Sequence, residues 1–320
     1  MRLQEELLDG SYRHGEYTDF VIHDPKSRVI SAAPYRDRVV HHALCNVIEP
    51  LFDRTFIFDT YACRRGKGTH AAVRRYSEFS RKNRYVLKCD VQKYFSSVDQ
   101  GVLIESISRR VCCEKTLMLI RQIVGSREDR SHPVYFRGDD LFTPVERKKG
   151  IPIGNLTSQF FANVYLNGFD HYVKERLRCR YYIRYVDDWV VLDNNKGRLD
   201  DVKVQMEEYL ENLRLRLHPN KCRVYRVDEG IRFLGYRIFP THRLLPKDNL
   251  LRMRRRLKAL SIAFKEGQIN LGGIRQSIMS WIGHAAHADT YRLRSRLLGE
   301  VTFQRGGAEE PARGLVEQQS

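Results

Sequence analysis

The sequence predicts an α+β fold in two or three small lobes, on three observations. A short strand ends on Asp90, an amphipathic helix covers residues 157–177, and a hairpin carries Asp187 and Asp188 at its tip. At 320 residues the chain lies just above the size at which one core divides. A net charge of +17, from 56 Lys and Arg against 39 Asp and Glu, favours an anionic partner, nucleic acid before an acidic protein or a membrane surface. No apolar run is long enough to span a bilayer, and MRLQEELLDG at Met1 lacks the apolar core of a signal peptide, so a cytoplasmic location is expected. The seven cysteines are scattered without a CxxC pair and read as reduced thiols, which argues against a zinc site or a disulfide framework.

Residues 18–23 and 28–32 read as strands around the turn Asp24, Pro25, Lys26, Ser27. After Pro34, Val39, Val40, Ala43, Leu44, Val47 and Ile48 recur at helical spacing. ACRRGKGTH at 62–70 sets two glycines among Arg64, Arg65 and Lys67, either a loop that holds an anion against the backbone or a solvated basic loop, and a helix follows over 71–79. RYVLKCDV at 84–91 is a strand with Asp90 near its end. One helix is expected from 101 to 123, through Leu103, Ile107, Val111, Leu117 and Ile120, and an irregular crossing over 125–150.

Ala162, Leu166, Phe169, Val173 and Leu177 mark the stripe of the 157–177 helix, with Thr157 or Ser158 as its cap. YYIRYV and WVVL flank the acidic pair. A helix over 200–215, the turn HPNK at 218–221 and two strand candidates, CRVYRV and IRFLGYRIF, come next, Gly235 allowing a tight approach in the second. Beyond Pro246 a basic helical lobe begins with Lys247, Arg252, Arg254, Arg255, Arg256 and Lys258, and the end from Gln304 has too little apolar content to pack.

An Asp-Asp pair alone is an ordinary solvated turn. Between two apolar arms, with a second strand ending in Asp90, it brings distant carboxylates to one sheet edge, which is what two divalent cations need. Asp90 and Asp187 are the strongest ligand candidates. Asp188 is one step along the chain and points elsewhere in regular geometry, so it has a looser role.

YVDD at 185–188 resembles the signature of reverse transcriptases, and DVQKYFSSVD at 90–99 resembles the preceding catalytic strand of the group II intron and related bacterial enzymes. HPNKC at 218–222, FLGY at 233–236, DPKSRVISAAPYRDRVVHHAL at 24–44 and YACRRGKGTHAA at 61–72 resemble their remaining motifs, in the right order. IGNLTSQ at 153–159 departs from the Gln-Gly and Ser-Pro pairs of intron enzymes and resembles the reverse transcriptases of diversity-generating retroelements, as does SWIGHAAHADTYRLRSRLL at 280–298. The resemblance implies a right-hand polymerase fold: fingers over 1–85, an antiparallel palm over 86–240 with an insertion at 125–150, a basic helical thumb over 241–303, and a disordered tail over 304–320.

The resemblance also implies roles. Asp90, Val91, Asp187 and Asp188 would hold two Mg²⁺, with Mn²⁺ as a substitute. Lys221 lies near the triphosphate as a general acid, and Phe95 is the steric gate against a 2′-hydroxyl. Arg64, Lys67 and Arg65 approach the incoming phosphates, together with Val91. Ile153 and Gly154 touch the nascent pair or the dNTP sugar, Gln159 the template, and Tyr185 the primer end. Arg252, Arg254, Arg255, Arg256 and Lys258 would straddle nucleic-acid phosphates. The implied partners are template RNA, an RNA/cDNA hybrid, dNTPs and a small basic helical accessory protein that forms a multimer, in a bacterial, archaeal or phage setting. An intron-type or defence-associated enzyme and a catalytically idle RNA-binding protein are the alternatives.

Overall fold

The computed structural model describes residues 2–23, 27–129 and 133–305; Asp24, Pro25 and Lys26 of the expected turn and residues 306–320 of the expected tail lie outside the described residues. Two compact units divide the chain, one up to Glu229 and one from Gly230 on.

In the first unit, β1 (Thr18–Ile22) and β2 (Arg28–Ala32) pair antiparallel as a hairpin. The central sheet has β3 (Tyr85–Asp90), β4 (Tyr181–Tyr185), β5 (Asp188–Asp193) and β6 (Arg223–Arg226) in the order β4-β5-β3-β6, all antiparallel. The central strands carry consecutive buried residues, Val86 with Leu87 and Val190 with Val191, as a sheet covered on both faces requires. Leu87, Cys89, Trp189 and Val191 join Phe169, Met206 and Leu210 in the main core, and the helix Lys196–Asn212 packs on β3, β5 and β6. The helix Tyr35–Asp53 packs against the helix Leu156–Tyr165, Phe52 meeting Phe160 edge-on with ring centroids 5.7 Å apart.

Several expectations are corrected. The 157–177 helix is three pieces, Leu156–Tyr165, Asn167–His171 and a π-helical turn Tyr172–Arg176. The first break falls before Asn167-Gly168, two weak helix formers, and the Tyr209 hydroxyl stands 3.0 Å from where a Cβ on Gly168 would be. Neither Thr157 nor Ser158 caps it; Asn155 flanks its start and donates from its amide to the Ser31 carbonyl at 3.2 Å. The 101–123 helix is likewise two, Gln100–Ser108 and Glu114–Gly125, because the stripe slips by six residues between Val111 and Leu117. The first residues, to which the sequence reading assigns no element, hold a helix, Arg2–Asp9, whose Leu3 and Leu7 lie one turn apart and pack on the core.

A further correction lies in the second unit. IRFLGYRIF is a hairpin of β7 (Ile231–Phe233) and β8 (Tyr236–Ile238), turned by Leu234 and Gly235 at φ 48° and 87°, with β9 (Arg243–Leu244) alongside. Three helices follow, Lys247–Lys265, Leu271–Ala285 and Tyr291–Gly299, around Met253, Leu257 and Leu297. Residues 230–240, read from sequence as the end of the palm, belong to this second unit. Among the described residues no helix is long and apolar enough to cross a membrane.

Candidate active site

Strand register brings the acidic residues together. Asp90 ends β3 directly opposite Asp188, the first residue of β5, and Asp188 also faces Tyr185 across the hairpin. The Val91 amide donates to the Asp187 carbonyl at 3.3 Å and the His218 amide to the Asp90 carbonyl at 2.8 Å, so three chain segments lock at this edge. The two-residue turn puts Val186 at φ 54°, a conformation that costs a β-branched residue about 1–3 kcal/mol.

The Lys221 ammonium donates to Asp90 Oδ2, and Lys88 lies 3.6 Å from Asp188 Oδ2. Burial raises the pKa of Asp187, and the neighbouring Asp90 adds to the rise. Burial pushes Asp188 up to about 7; Lys88 opposes the rise, while Asp90 and Asp187 add to it. Asp188 Oδ1 is buried without a hydrogen-bond partner. Among the described residues no three acidic, His or Cys side chains converge as a closed metal cage. The carboxylates share an edge, as the order of elements predicts, and lysines stand against two of them. Hard oxygen donors, an orphaned carboxylate oxygen and two acids whose pKa burial and a neighbouring carboxylate raise suit a divalent cation. Val91 has only its main-chain carbonyl to offer one.

The edge opens on a cleft of about 1170 Å³ lined by Asp90, Val91, Phe95, Ile153, Asp187, Asp188 and Lys221. Half-buried Phe95 packs edge-on against Tyr94 at 5.6 Å. Arg28 and Lys93 also line the cleft, as does Arg127, which is paired with Asp19 at 2.7 Å. The sequence reading missed all three; Arg28 and Lys93 stood inside the quoted motifs with nothing to separate them from other surface cations.

The remaining candidates stand outside that lining. Arg64 is turned into its own loop, with Nε donating to Asp53 at 2.6 Å and Nη1 to the carbonyls of Ile57 and Thr60 at 2.8 and 3.1 Å. Lys67 donates to the Phe58 carbonyl at 2.8 Å and sits 3.4 Å over the Phe58 ring, and Arg65 is exposed. Gly154, at φ 114°, backs onto β2: a Cβ there would meet Ile30 Cγ2 at 2.7 Å. Gln159 accepts from the Cys63 thiol at 3.2 Å, and the Tyr185 hydroxyl accepts from Thr69 at 3.2 Å. In the second unit Arg252, Arg254, Arg255, Arg256 and Lys258 are all exposed on one helix whose Met253 and Leu257 are buried.

With this geometry in view, the family description "Reverse transcriptase (RNA-dependent DNA polymerase)" matches residues 22–238, more than half the chain. The chain belongs to the reverse transcriptase family. Protein YkfC of Escherichia coli (strain K12) is 24% identical over 278 residues, covering 74% of this chain and 70% of that protein. Nuclear intron maturase 2 of Arabidopsis thaliana is 21% identical over 256 residues, covering 66% and 35%. The group II intron-encoded protein LtrA of Lactococcus lactis is 20% identical over 308 residues, covering 74% and 49%, so this reverse transcriptase-family chain spans half or less of both intron-related proteins. The structure of telomerase from Candida tropicalis with a TWJ fragment of telomeric RNA superposes with a TM-score of 0.55 at 13% identity, over 95% of this chain and 59% of that one. At such identity the likeness shows the fold, that of the right-hand polymerases, with the β3–β6 sheet at its centre.

Proposed function

We propose that this reverse transcriptase-family chain is an RNA-directed DNA polymerase that makes adenine-mutagenic cDNA from a template-repeat RNA, as diversity-generating retroelement enzymes do. The observation that carries the polymerase reading is the register pairing of Asp90 with Asp188, beside Asp187, in one cleft with Lys221 and Phe95. Two bound Mg²⁺, or Mn²⁺ in their place, would supply activation of the primer 3′-hydroxyl and stabilisation of the leaving oxygen, with Asp90, Asp187, Asp188 and the Val91 carbonyl as holders.

The chain's own residues do the rest. Lys221 carries an ammonium beside Asp90 that can hand a proton to departing pyrophosphate. Phe95 walls the cleft where a ribose 2′-hydroxyl would clash, and Ile153 offers the nascent pair an apolar surface without a hydrogen-bond donor. The five exposed cations of residues 252–258 suit phosphates of an RNA/cDNA hybrid, whose binding then falls steeply with salt.

The retroelement reading rests on the resemblance of IGNLTSQ, and with it come a small basic accessory multimer and a cytoplasmic location. The curated relatives LtrA and nuclear intron maturase 2 favour a second reading, an intron-type enzyme. Sequencing cDNA made on an RNA template with Mg²⁺ and dNTPs separates them: errors concentrated at template adenines support the first, an even spectrum the second. No extension by wild-type protein, or equal extension by Asp187→Ala, removes both.

A further inference from the structure

Beneath the acidic turn lies an ion pair that neither the sequence reading nor the comparisons single out. Arg184, next to the last residue of β4, and Asp170, in the helical segment Asn167–His171, have side chains with no solvent exposure. The guanidinium meets the carboxylate with two donors, Nε to Oδ1 and Nη2 to Oδ2, each at 2.7 Å. Asp170 is further satisfied by the Tyr182 hydroxyl at 2.7 Å and the Thr60 hydroxyl at 2.9 Å.

The third donor nitrogen does something an ion pair alone does not need. Nη1 donates to the carbonyl of Val186 at 3.0 Å and to Asn163 Oδ1 at 3.2 Å. The Val186 carbonyl belongs to the peptide unit whose nitrogen is that of Asp187, so holding this oxygen fixes the rotation of the plane from which the Asp187 side chain departs. That same residue is the strained one, at φ 54°. Arg184 also grips the fingers segment through its main chain: its amide donates to the Asp59 carbonyl and its carbonyl accepts from the Tyr61 amide, both at 3.0 Å. Asn163 closes the ring by donating to the Ala62 carbonyl at 2.7 Å.

We propose that Arg184 and Asp170 form a positioning pair: a buried, planar fork that holds the Val186-Asp187 peptide in its strained orientation and ties it to residues 59–62, so that Asp187 is aimed before any cation or substrate binds. The proposal rests on the polymerase reading above. Arginine is required because its fork reaches the carboxylate and the turn carbonyl from separate nitrogens; a lysine ammonium keeps the charge opposite Asp170 but presents its donors from one point. Groups that orient a metal-holding carboxylate are worth roughly 10–100-fold in metal affinity or activity.

The test uses the full chain and Arg184→Lys, with three readouts: Mn²⁺ binding, from the paramagnetic resonance of the free ion; kcat and KM for dNTP on an RNA template with a DNA primer; and thermal unfolding, the kinetics being taken well below each midpoint. The expected result is Mn²⁺ affinity and kcat both down about 10- to 100-fold, with KM and hybrid affinity within about threefold of wild type. Thr60→Val removes one hydrogen bond from the same carboxylate; it should move Mn²⁺ affinity and kcat together, by two- to tenfold, and it decides the matter if Arg184→Lys does not unfold cooperatively. Wild-type Mn²⁺ affinity and kcat in the variants overturn the positioning role. Failure of wild-type protein to bind Mn²⁺ in an Asp187-dependent way, or to extend a primer, overturns the polymerase reading instead.

Discussion

Asp90 and Asp188 stand directly opposite each other across the β3–β5 pair, at the end of both strands. Two like charges facing across a ladder destabilise a sheet, and here a third carboxylate, Asp187, sits on the adjoining turn. Lys221 and Lys88 offset part of the repulsion, each against one acid. An edge built only for stability would not gather three acids; this one fits a cation-handling role.

Replacing one of the repelling acids should therefore separate stability from activity. Asp188→Asn leaves the backbone pairing intact and removes a charge that burial and both neighbouring carboxylates disfavour. Its thermal midpoint at pH 8 in chelator should equal or exceed that of wild type, while Mg²⁺-dependent dNTP incorporation falls. Asp187→Ala should lose about 10³-fold or more, a barrier change of roughly 4 kcal/mol. A variant that unfolds earlier and keeps its activity would contradict both halves.

A buried histidine sets an acid limit. His41 is almost wholly buried and its pKa is lowered to about 4, first by desolvation and then by His14 and His42, with Asp37 opposing. Between about 4 and 6.5 the unfolded chain binds this proton and the folded chain does not. Stability therefore rises with pH across that window and is lost as pH falls through it, by at most about 3 kcal/mol. Denaturant midpoints of wild type and His41→Gln, taken from pH 7.5 to 4.5, should converge as pH falls; parallel curves would remove the assignment.

The acidic edge was legible because its signal is local: alternating apolar arms around Asp187-Asp188, and a strand that stops at Asp90. Arg184 and Asp170 were not, because a single Arg in an apolar strand and a single Asp on a helix gain meaning only when the fold buries them together. The helix breaks at Leu166 and after Ser108 were hidden for a related reason. An apolar stripe can persist in space while the backbone restarts, and a register of spacings does not report which carbonyls stay bonded. Arg64 shows a different limit: motif position suggests phosphate, while in the structure Asp53 and the carbonyls of Ile57 and Thr60 hold the guanidinium.

That competition for Arg64 is testable. Its side chain is only 10% exposed and satisfies the carbonyls of Ile57 and Thr60 while pairing with half-exposed Asp53. Arg64→Ala should cost about 1–3 kcal/mol through the unsatisfied carbonyls, with KM for dNTP within about threefold below the new midpoint. A large rise in KM without loss of stability would restore a direct phosphate contact.

Gly154 is demanded by the backbone. Its φ of 114° disfavours any side chain, and an added Cβ meets Ile30 Cγ2 at 2.7 Å. Gly154→Ala should destabilise by about 1–3 kcal/mol. Ile30→Ala in the same chain should relieve the contact yet leave the dihedral strain, so the double variant should recover part of what the Gly154→Ala change loses, measured against Ile30→Ala alone, in equilibrium unfolding.

Ile153 gives the last prediction. It lines the cleft, half-buried, while its carbonyl accepts from the Ser31 amide at 2.9 Å, so the β2 hairpin fixes the backbone and leaves the side chain on the cleft wall. A sec-butyl side chain cannot donate a hydrogen bond to a sugar or base, and discrimination built on such surfaces is weak compared with that of a polar contact that goes unpaired for the wrong partner. Ile153→Gln restores a donor at this position without altering the main-chain bond. Misincorporation opposite template adenine, counted by sequencing cDNA made on a defined RNA, should fall several-fold with little change in total extension. An unaltered error spectrum would remove the proposed role of Ile153 in fidelity.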